Sequence, residues 1–117
     1  MTAIIRIKKE LSLIAKNNFE YFTLGPRDTA NLFELEGFIL GPAGTPYEGG
    51  CFEFEIHLGK DYPLKPPEFR FTTKIFHPNV NDKGYVSLEI IQEKNWTPAY
   101  LFYMIIIQVY YLFSYPD

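Results

Sequence analysis

Cysteine is almost missing from this chain of 117 residues, which has a single one, Cys51. One thiol excludes a disulfide within the chain and a metal site built from several cysteines. The largely apolar stretch from Ala99 to Phe113 contains Gln108 and is shorter than the ~20 apolar residues that a membrane-spanning helix needs. The chain also lacks a metal-ligand spacing, a glycine-rich phosphate loop and a Ser-His-Asp signature. We therefore expect no metal, no cofactor and no membrane contact.

Positive charge is scarce overall and unevenly placed. The net charge is -3, which does not favour nucleic acid as a partner. Residues 1–16 hold four cations and one acid, a local charge of +3 that leaves -6 for the rest: Arg6, Lys8, Lys9, Lys16 and Glu10. A basic helix on an acidic body suits a protein partner with an acidic surface, although a solvated helix face is the commoner explanation of such a pattern. No secretory signal opens the chain, so we expect a cytoplasmic and/or nuclear protein.

The chain is rich in apolar residues, at 47% hydrophobic and 18% aromatic, which predicts one packed domain over residues 1–117. Apolar residues at near-helical spacing predict a first helix that ends before Asn17: Ile4, Ile5, Ile7, Leu11 and Ile14. Thr97 as N-cap and Pro98 at the first helical position predict the start of a second helix. Between them, strands are predicted at 19–24, 31–40, 51–58 and 69–71. Short turns between strands, with helices before and after, indicate an α+β meander.

The stretch from Phe76 to Leu88 carries the candidate chemistry. Asn79 and Ser87 lie eight positions apart across a turn-forming segment. An Asn amide can donate to a developing oxyanion, and a Ser hydroxyl can carry an acyl group. No base lies beside Ser87 in the sequence, so unaided it is a poor nucleophile. Asn79 is equally well explained as a residue that caps a turn after Pro78.

Three further residues have two interpretations each. His77 is either a general base or a residue that hydrogen-bonds its own loop, and we favour the loop, because Pro78 holds the backbone stiff. Cys51, the only thiol, is either a nucleophile or an ordinary strand residue. We favour the strand residue, because His57 lies roughly 20 Å further along the same strand at ~3.3 Å per residue, too far to activate the thiol. Leu64, on a loop with Pro63, Pro66 and Pro67, is either a partner anchor or a satellite core residue.

The motifs together resemble the ubiquitin-conjugating (E2) family. The series covers nearly all of the chain, and its order and spacing are highly specific: Arg6 to Leu11, Gly41-Pro42, Pro46 to Gly50, Tyr62 to Pro67, His77-Pro78-Asn79 and Trp96 to Ala99. The resemblance implies a four-stranded antiparallel meander between an N-terminal helix and a central crossover helix. It also implies that ubiquitin or a related modifier is received from an activating enzyme (E1) and passed to a substrate lysine with a ligase (E3).

The resemblance assigns roles to particular residues. Asn79 corresponds to the Asn that supports the oxyanion or the active-site loop, in which His77 and Pro78 are structural. Arg6 and Lys9 lie on the helix that faces the activating enzyme. The ligase-binding loops correspond to Leu64 and to Thr97-Pro98-Ala99. Cys51 falls on the back surface, where a second ubiquitin can dock.

Two departures from the family pattern affect the expected activity. Ser87 stands at the position of the family's catalytic Cys, so that loading would give an oxyester or nothing. The alternative is a non-catalytic scaffold that binds ubiquitin or ligases, but such variants usually lack His-Pro-Asn, which favours the enzyme type. The chain also ends near Pro116, where family members continue into further helices, so the core would be C-terminally truncated. We therefore predict self-association through an exposed apolar helix, in which some of Ile105, Ile107, Tyr110, Tyr111 and Phe113 would be uncovered.

Overall fold

Helix α1 spans Ala3–Asn17 in the computed structural model, which describes residues 3–17 and 19–115. Its buried residues are Ile7, Glu10 and Ile14, a spacing that places them on one side of a helix. Ile4 and Ile5, the first two residues of the apolar series that predicted this helix, are each nearly half exposed. The acid Glu10 lies on the buried side, whereas the two isoleucines lie on the outer surface of the first turn.

Four antiparallel strands follow in the order β1-β2-β3-β4. They are β1 at Gly25–Asp28, β2 at Asn31–Leu40, β3 at Cys51–His57 and β4 at Glu68–Phe71. Leu35 lies opposite Ile56, and Ile56 lies opposite Phe69. All three are buried because alternate residues of each strand face the same side of the sheet. The predicted α+β meander is thus confirmed.

Helix α2 spans Phe102–Ser114 and buries Phe102, Ile105, Ile106, Val109 and Phe113. The predicted N-cap, Thr97, is wrong, since the N-cap residue is Leu101, with extended backbone angles. Thr97 instead forms a turn, in which its hydroxyl accepts from the Ala99 N–H at 3.4 Å and its carbonyl from the Tyr100 N–H at 3.0 Å. The helix starts later because the Glu10 carboxylate accepts the first helical N–H, that of Phe102, at 2.7 Å.

The predicted strand at 19–24 is also wrong, because regular pairing begins only at Gly25. Phe22 forms an isolated bridge to Ile39. Tyr21 is partly buried, with its ring 4.2 Å from that of Tyr110 on α2, and its neighbour Phe22 is buried. Two consecutive side chains that pack inward break the alternation that a strand requires.

The outer surface of α2 exposes one of the five apolar residues that the sequence offered as candidates for exposure. Ile105 and Phe113 are buried and Ile107 and Tyr110 partly so, whereas Tyr111 is 60% exposed. Met104 and Tyr115 are exposed on the same side of the helix. Neither α1 nor α2 has the length and apolar content that would allow it to cross a membrane.

Candidate active site

Residues 79–87 fold back on themselves as a small hairpin, which we call the flap. The Ser87 N–H donates to the Asn79 carbonyl at 2.8 Å, and Val80 and Val86 form a bridge. Two residues that lie eight positions apart in the sequence are therefore direct neighbours. The structure brings together the backbones of the two residues that the sequence singled out.

The turn of the flap is determined by Asn81 and Gly84. The Asn81 Oδ1 accepts from the N–H groups of Lys83 at 2.9 Å and Tyr85 at 3.0 Å, as an Asx turn does. Gly84 has φ of 94°, and a Cβ there would lie 2.1 Å from the Phe71 carbonyl oxygen. The Phe71 N–H donates to the Gly84 carbonyl at 2.8 Å, so the turn is joined to the end of β4. Only glycine fits this position.

Ser87 is held facing outward by its neighbours. Val86 and Leu88 are buried, whereas Ser87 is exposed and Asn79 is partly exposed. Alternating burial in an extended segment turns every second side chain to solvent. The arrangement leaves residue 87 accessible to a large reactant.

His77 supports the loop with both ring nitrogens. It is 8% exposed, and its Nδ1 lies 3.0 Å from the Asn79 backbone nitrogen. Because a backbone N–H only donates, Nδ1 accepts, and the ring proton is on Nε2, which donates to the Leu112 carbonyl at 2.6 Å. The Tyr47 hydroxyl donates to the Phe76 carbonyl at 2.8 Å and fixes the residue before His77, while Pro78 is exposed. His77 therefore holds α2 and the flap together and has no nitrogen left for Ser87.

The residues expected to bind partners lie on three segments that contact one another. Lys9, Leu64, Pro98 and Ala99 are exposed, and Thr97 is partly exposed. Leu64 is 75% exposed, which excludes the interpretation as a satellite core residue. The Trp96 ring N–H donates to the Pro63 carbonyl at 2.8 Å, so the two loops are joined.

Arg6 differs from that group because its guanidinium is used within the fold. Its Nε donates to Glu10 at 2.9 Å, and its Nη2 donates to the Tyr100 carbonyl at 2.8 Å. Only 18% of the side chain is exposed. Little of this cation remains available to a partner.

Sequence analysis missed Glu10, which is 3% exposed. Its Oε2 accepts from the Tyr62 hydroxyl at 2.5 Å as well as from Arg6. Burial, and then the hydrogen bond to Glu10, raise the pKa of Tyr62. The signal was present in the sequence, since Glu10 lies three residues after Ile7 and four before Ile14, on the apolar side of the helix.

Cys51 is exposed on the outer face of the sheet, at the start of β3 and opposite Leu40. Further along this face, Glu55 contacts Arg27, Arg70 and His57. His57 also contacts Glu34 through its other nitrogen, so its imidazole is held among carboxylates. Within residues 3–17 and 19–115, no group of His, Cys, Asp or Glu is arranged to hold a metal ion.

Comparison with known proteins gives the same family by three routes. Residues 6–117 match the family model described as ubiquitin-conjugating enzyme. A curated relative, "Probable ubiquitin-conjugating enzyme E2 31" of Arabidopsis thaliana, is 40% identical over 106 residues, which cover 91% of this chain and 66% of that protein. The structure of human ubiquitin-conjugating enzyme E2 G1 superposes with a TM-score of 0.92 at 36% identity, over 96% of this chain and 94% of that one. The chain belongs to the ubiquitin-conjugating enzyme family.

Proposed function

We propose that this chain acts in conjugation of ubiquitin or a ubiquitin-like protein, with Ser87 as the residue that accepts the modifier. The observation that carries the proposal is the flap, in which an exposed Ser87 is hydrogen-bonded through its backbone to Asn79 at 2.8 Å. Family membership supplies the reaction type, and the flap supplies an accessible acceptor at the matching position.

The loading step is a transesterification. The Ser87 hydroxyl oxygen attacks the thioester carbonyl of a modifier carried by the activating enzyme, and the bond between that carbonyl carbon and sulfur breaks. The hydroxyl proton goes to the departing thiolate, and an oxyester forms at Ser87. The Asn79 amide is suited to donate to the oxyanion of the tetrahedral intermediate.

The transfer step is slower for an oxyester than for a thioester. A lysine amine attacks the ester carbonyl and expels the Ser87 alkoxide, which takes up a proton. Alkoxide is a poorer leaving group than thiolate, so the loaded form persists.

We assign the activating enzyme to the side of Lys9 and a ligase to the two joined loops. Leu64 offers an apolar side chain that is 75% exposed on a stiff segment, which suits an anchor in a partner's pocket. Pro98 and Ala99 are exposed on the adjoining loop. Charge at Lys9 suits an acidic partner surface.

A second candidate function is a scaffold without transfer activity. Both ring nitrogens of His77 are occupied by backbone groups, so this imidazole cannot take the Ser87 proton. In this alternative the ligase-facing loops, or the outer face of the sheet around Cys51, bind ubiquitin or ligases without a covalent step.

One gel experiment separates the two functions. The chain is incubated with activating enzyme, ATP and ubiquitin in a Cys51→Ser background, so that no thiol remains, and samples are split between thiol and hydroxide before electrophoresis. We expect a thiol-resistant, alkali-labile adduct that Ser87→Ala abolishes. Ser87→Cys should give a thiol-labile adduct that lysine discharges faster. If neither Ser87 nor Ser87→Cys is loaded, the transferase proposal is wrong and the scaffold stands.

A further inference from the structure

At each end of helix α2, one backbone group is paired with a side chain from a distant part of the chain. It has no acidic residue in its first turn and no basic residue in its last, and Leu101 gives no side-chain cap. Glu10 of α1 accepts the Phe102 N–H at 2.7 Å, and His77 donates to the Leu112 carbonyl at 2.6 Å. The end groups of a helix need such partners because the helix itself leaves them unpaired.

At the N-terminal end the capping carboxylate is fixed from several directions. Glu10 also accepts from the Tyr62 hydroxyl at 2.5 Å and from Arg6 at 2.9 Å. Arg6 in turn donates to the Tyr100 carbonyl at 2.8 Å, just before the helix begins. An anion at a helix N-terminus is further stabilised by the helix dipole. The start of α2 is thus held in place relative to α1 and the proline loop.

At the C-terminal end the contacts lead into the flap. His77 donates to Leu112 with one nitrogen and accepts the Asn79 N–H at 3.0 Å with the other. Asn79 then accepts the Ser87 N–H at 2.8 Å. Hydrogen bonds of ordinary length therefore connect the end of α2 to residue 87.

We propose that Glu10 is a positioning residue for the residue-87 site and acts through helix α2. A helix of 13 residues is a rigid rod of about 20 Å. A displacement at Phe102 therefore moves the Leu112 carbonyl, and with it the His77 ring that donates to this carbonyl. The consequence for transfer rests on the proposed function, whereas the positioning itself can be measured without any modifier.

The test is Glu10→Gln, which keeps the shape of the side chain and removes its charge. The amide can still accept from Phe102, but it presents an N–H toward Arg6, and the charge-assisted bonds are lost. Hydrogen exchange by NMR is measured at the Phe102, Asn79 and Ser87 amides and at the His77 ring Nε2–H. We expect exchange about tenfold faster at all of them, the ratio for replacing a charge-assisted bond by a neutral one, with a shifted His77 ring-proton resonance.

Ile14→Val is the matched control, because it removes one carbon from the same side of α1 and changes no hydrogen bond. This control measures how much a general loss of stability speeds exchange. The effect of Glu10→Gln is therefore the increase in exchange rate beyond that of Ile14→Val. The proposal is overturned if Glu10→Gln affects only Phe102 while His77, Asn79 and Ser87 match the control.

A second measurement tests the positioning role of Glu10 if the Glu10→Gln variant does not fold. In the unchanged protein under low urea, Phe102, His77 and Asn79 should open as one unit, with the same urea dependence. Separate opening of the two ends of α2 would overturn the proposal. This measurement uses no ubiquitin, so a failure of ubiquitin loading at Ser87 does not change it. Separate opening of the two ends of α2 likewise leaves the loading result unchanged, so the loading proposal and the positioning proposal can fail independently.

Discussion

At the scale of single residues, the ionisation of Tyr62 is coupled to folding. It is 3% exposed and donates to Glu10. An unfolded tyrosine ionises near pH 10, and burial with the Glu10 bond raises the pKa of Tyr62 in the folded protein. The stability that this group contributes is therefore complete below about pH 10 and is lost as the pH rises further.

We predict that Tyr62→Phe makes the protein less sensitive to alkali. Between pH 9 and 11 the unchanged protein should lose about 1.4 kcal/mol of unfolding free energy through Tyr62 alone, because one pKa unit corresponds to that energy. Burial also raises the pKa of Tyr21 and Tyr47, but both remain in the variant, so the difference isolates Tyr62. Urea denaturation at the two pH values measures it, and equal losses in both proteins would contradict the assignment.

The turn that pairs Asn79 with Ser87 could be predicted from residue types, whereas the buried contacts of Glu10 could not. Asn79 and Ser87 could be paired from the sequence because Pro78, Asn81 and Gly84 are strong turn residues. The place of Glu10 on the apolar side of α1 and its pairing with Arg6 are local, but its contacts with Tyr62 and Phe102 could not be predicted, because those residues lie 52 and 92 positions away. Contacts of that range leave no local pattern.

At the scale of elements, the flap depends on one glycine. Gly84 has φ of 94° and a Cβ there would lie 2.1 Å from the Phe71 oxygen, whereas Gly44 has φ of 80° with nothing within 4 Å. We predict that Gly44→Ala costs about 1–2 kcal/mol for its backbone conformation alone. Gly84→Ala should cost about 1–3 kcal/mol more, because the overlap forces the flap away from β4. Urea denaturation of both variants gives the difference, and equal costs would mean that the flap tolerates displacement.

Helices and strands were predictable where the local apolar pattern determines them, and not where tertiary contacts do. Strands β2 and β3 follow from alternating apolar residues, and their predicted places are confirmed. The prediction of a strand at 19–24 was wrong because the aromatic rings of this segment pack against α2. The start of α2 was predicted wrongly because its first N–H is capped by Glu10 of α1. Thr97-Pro98 is typical of a helix start, but the tertiary contact places the start at Phe102.

At the scale of the whole molecule, exposed apolar groups on α2 predict self-association. Met104, Tyr111 and Tyr115 are exposed on one side, and the last two rings stack at 4.7 Å. We expect the sedimentation coefficient of the chain to rise with concentration, and Tyr111→Lys to reduce that rise by removing apolar area and adding charge. Ile5→Lys, at an exposed position of α1, is the control that should leave it unchanged. A monomer at every concentration would refute the prediction.

The external caps of α2 also bear on the order in which the chain folds. Its first N–H finds a partner 92 positions earlier and its Leu112 carbonyl one 35 positions earlier, and pairings over such distances form slowly. Because these two end groups are paired only by distant side chains, α2 reaches its final form when α1 and the loop at His77 pack against it. Completion of α2 and formation of the Ser87 surface are consequently a single late event.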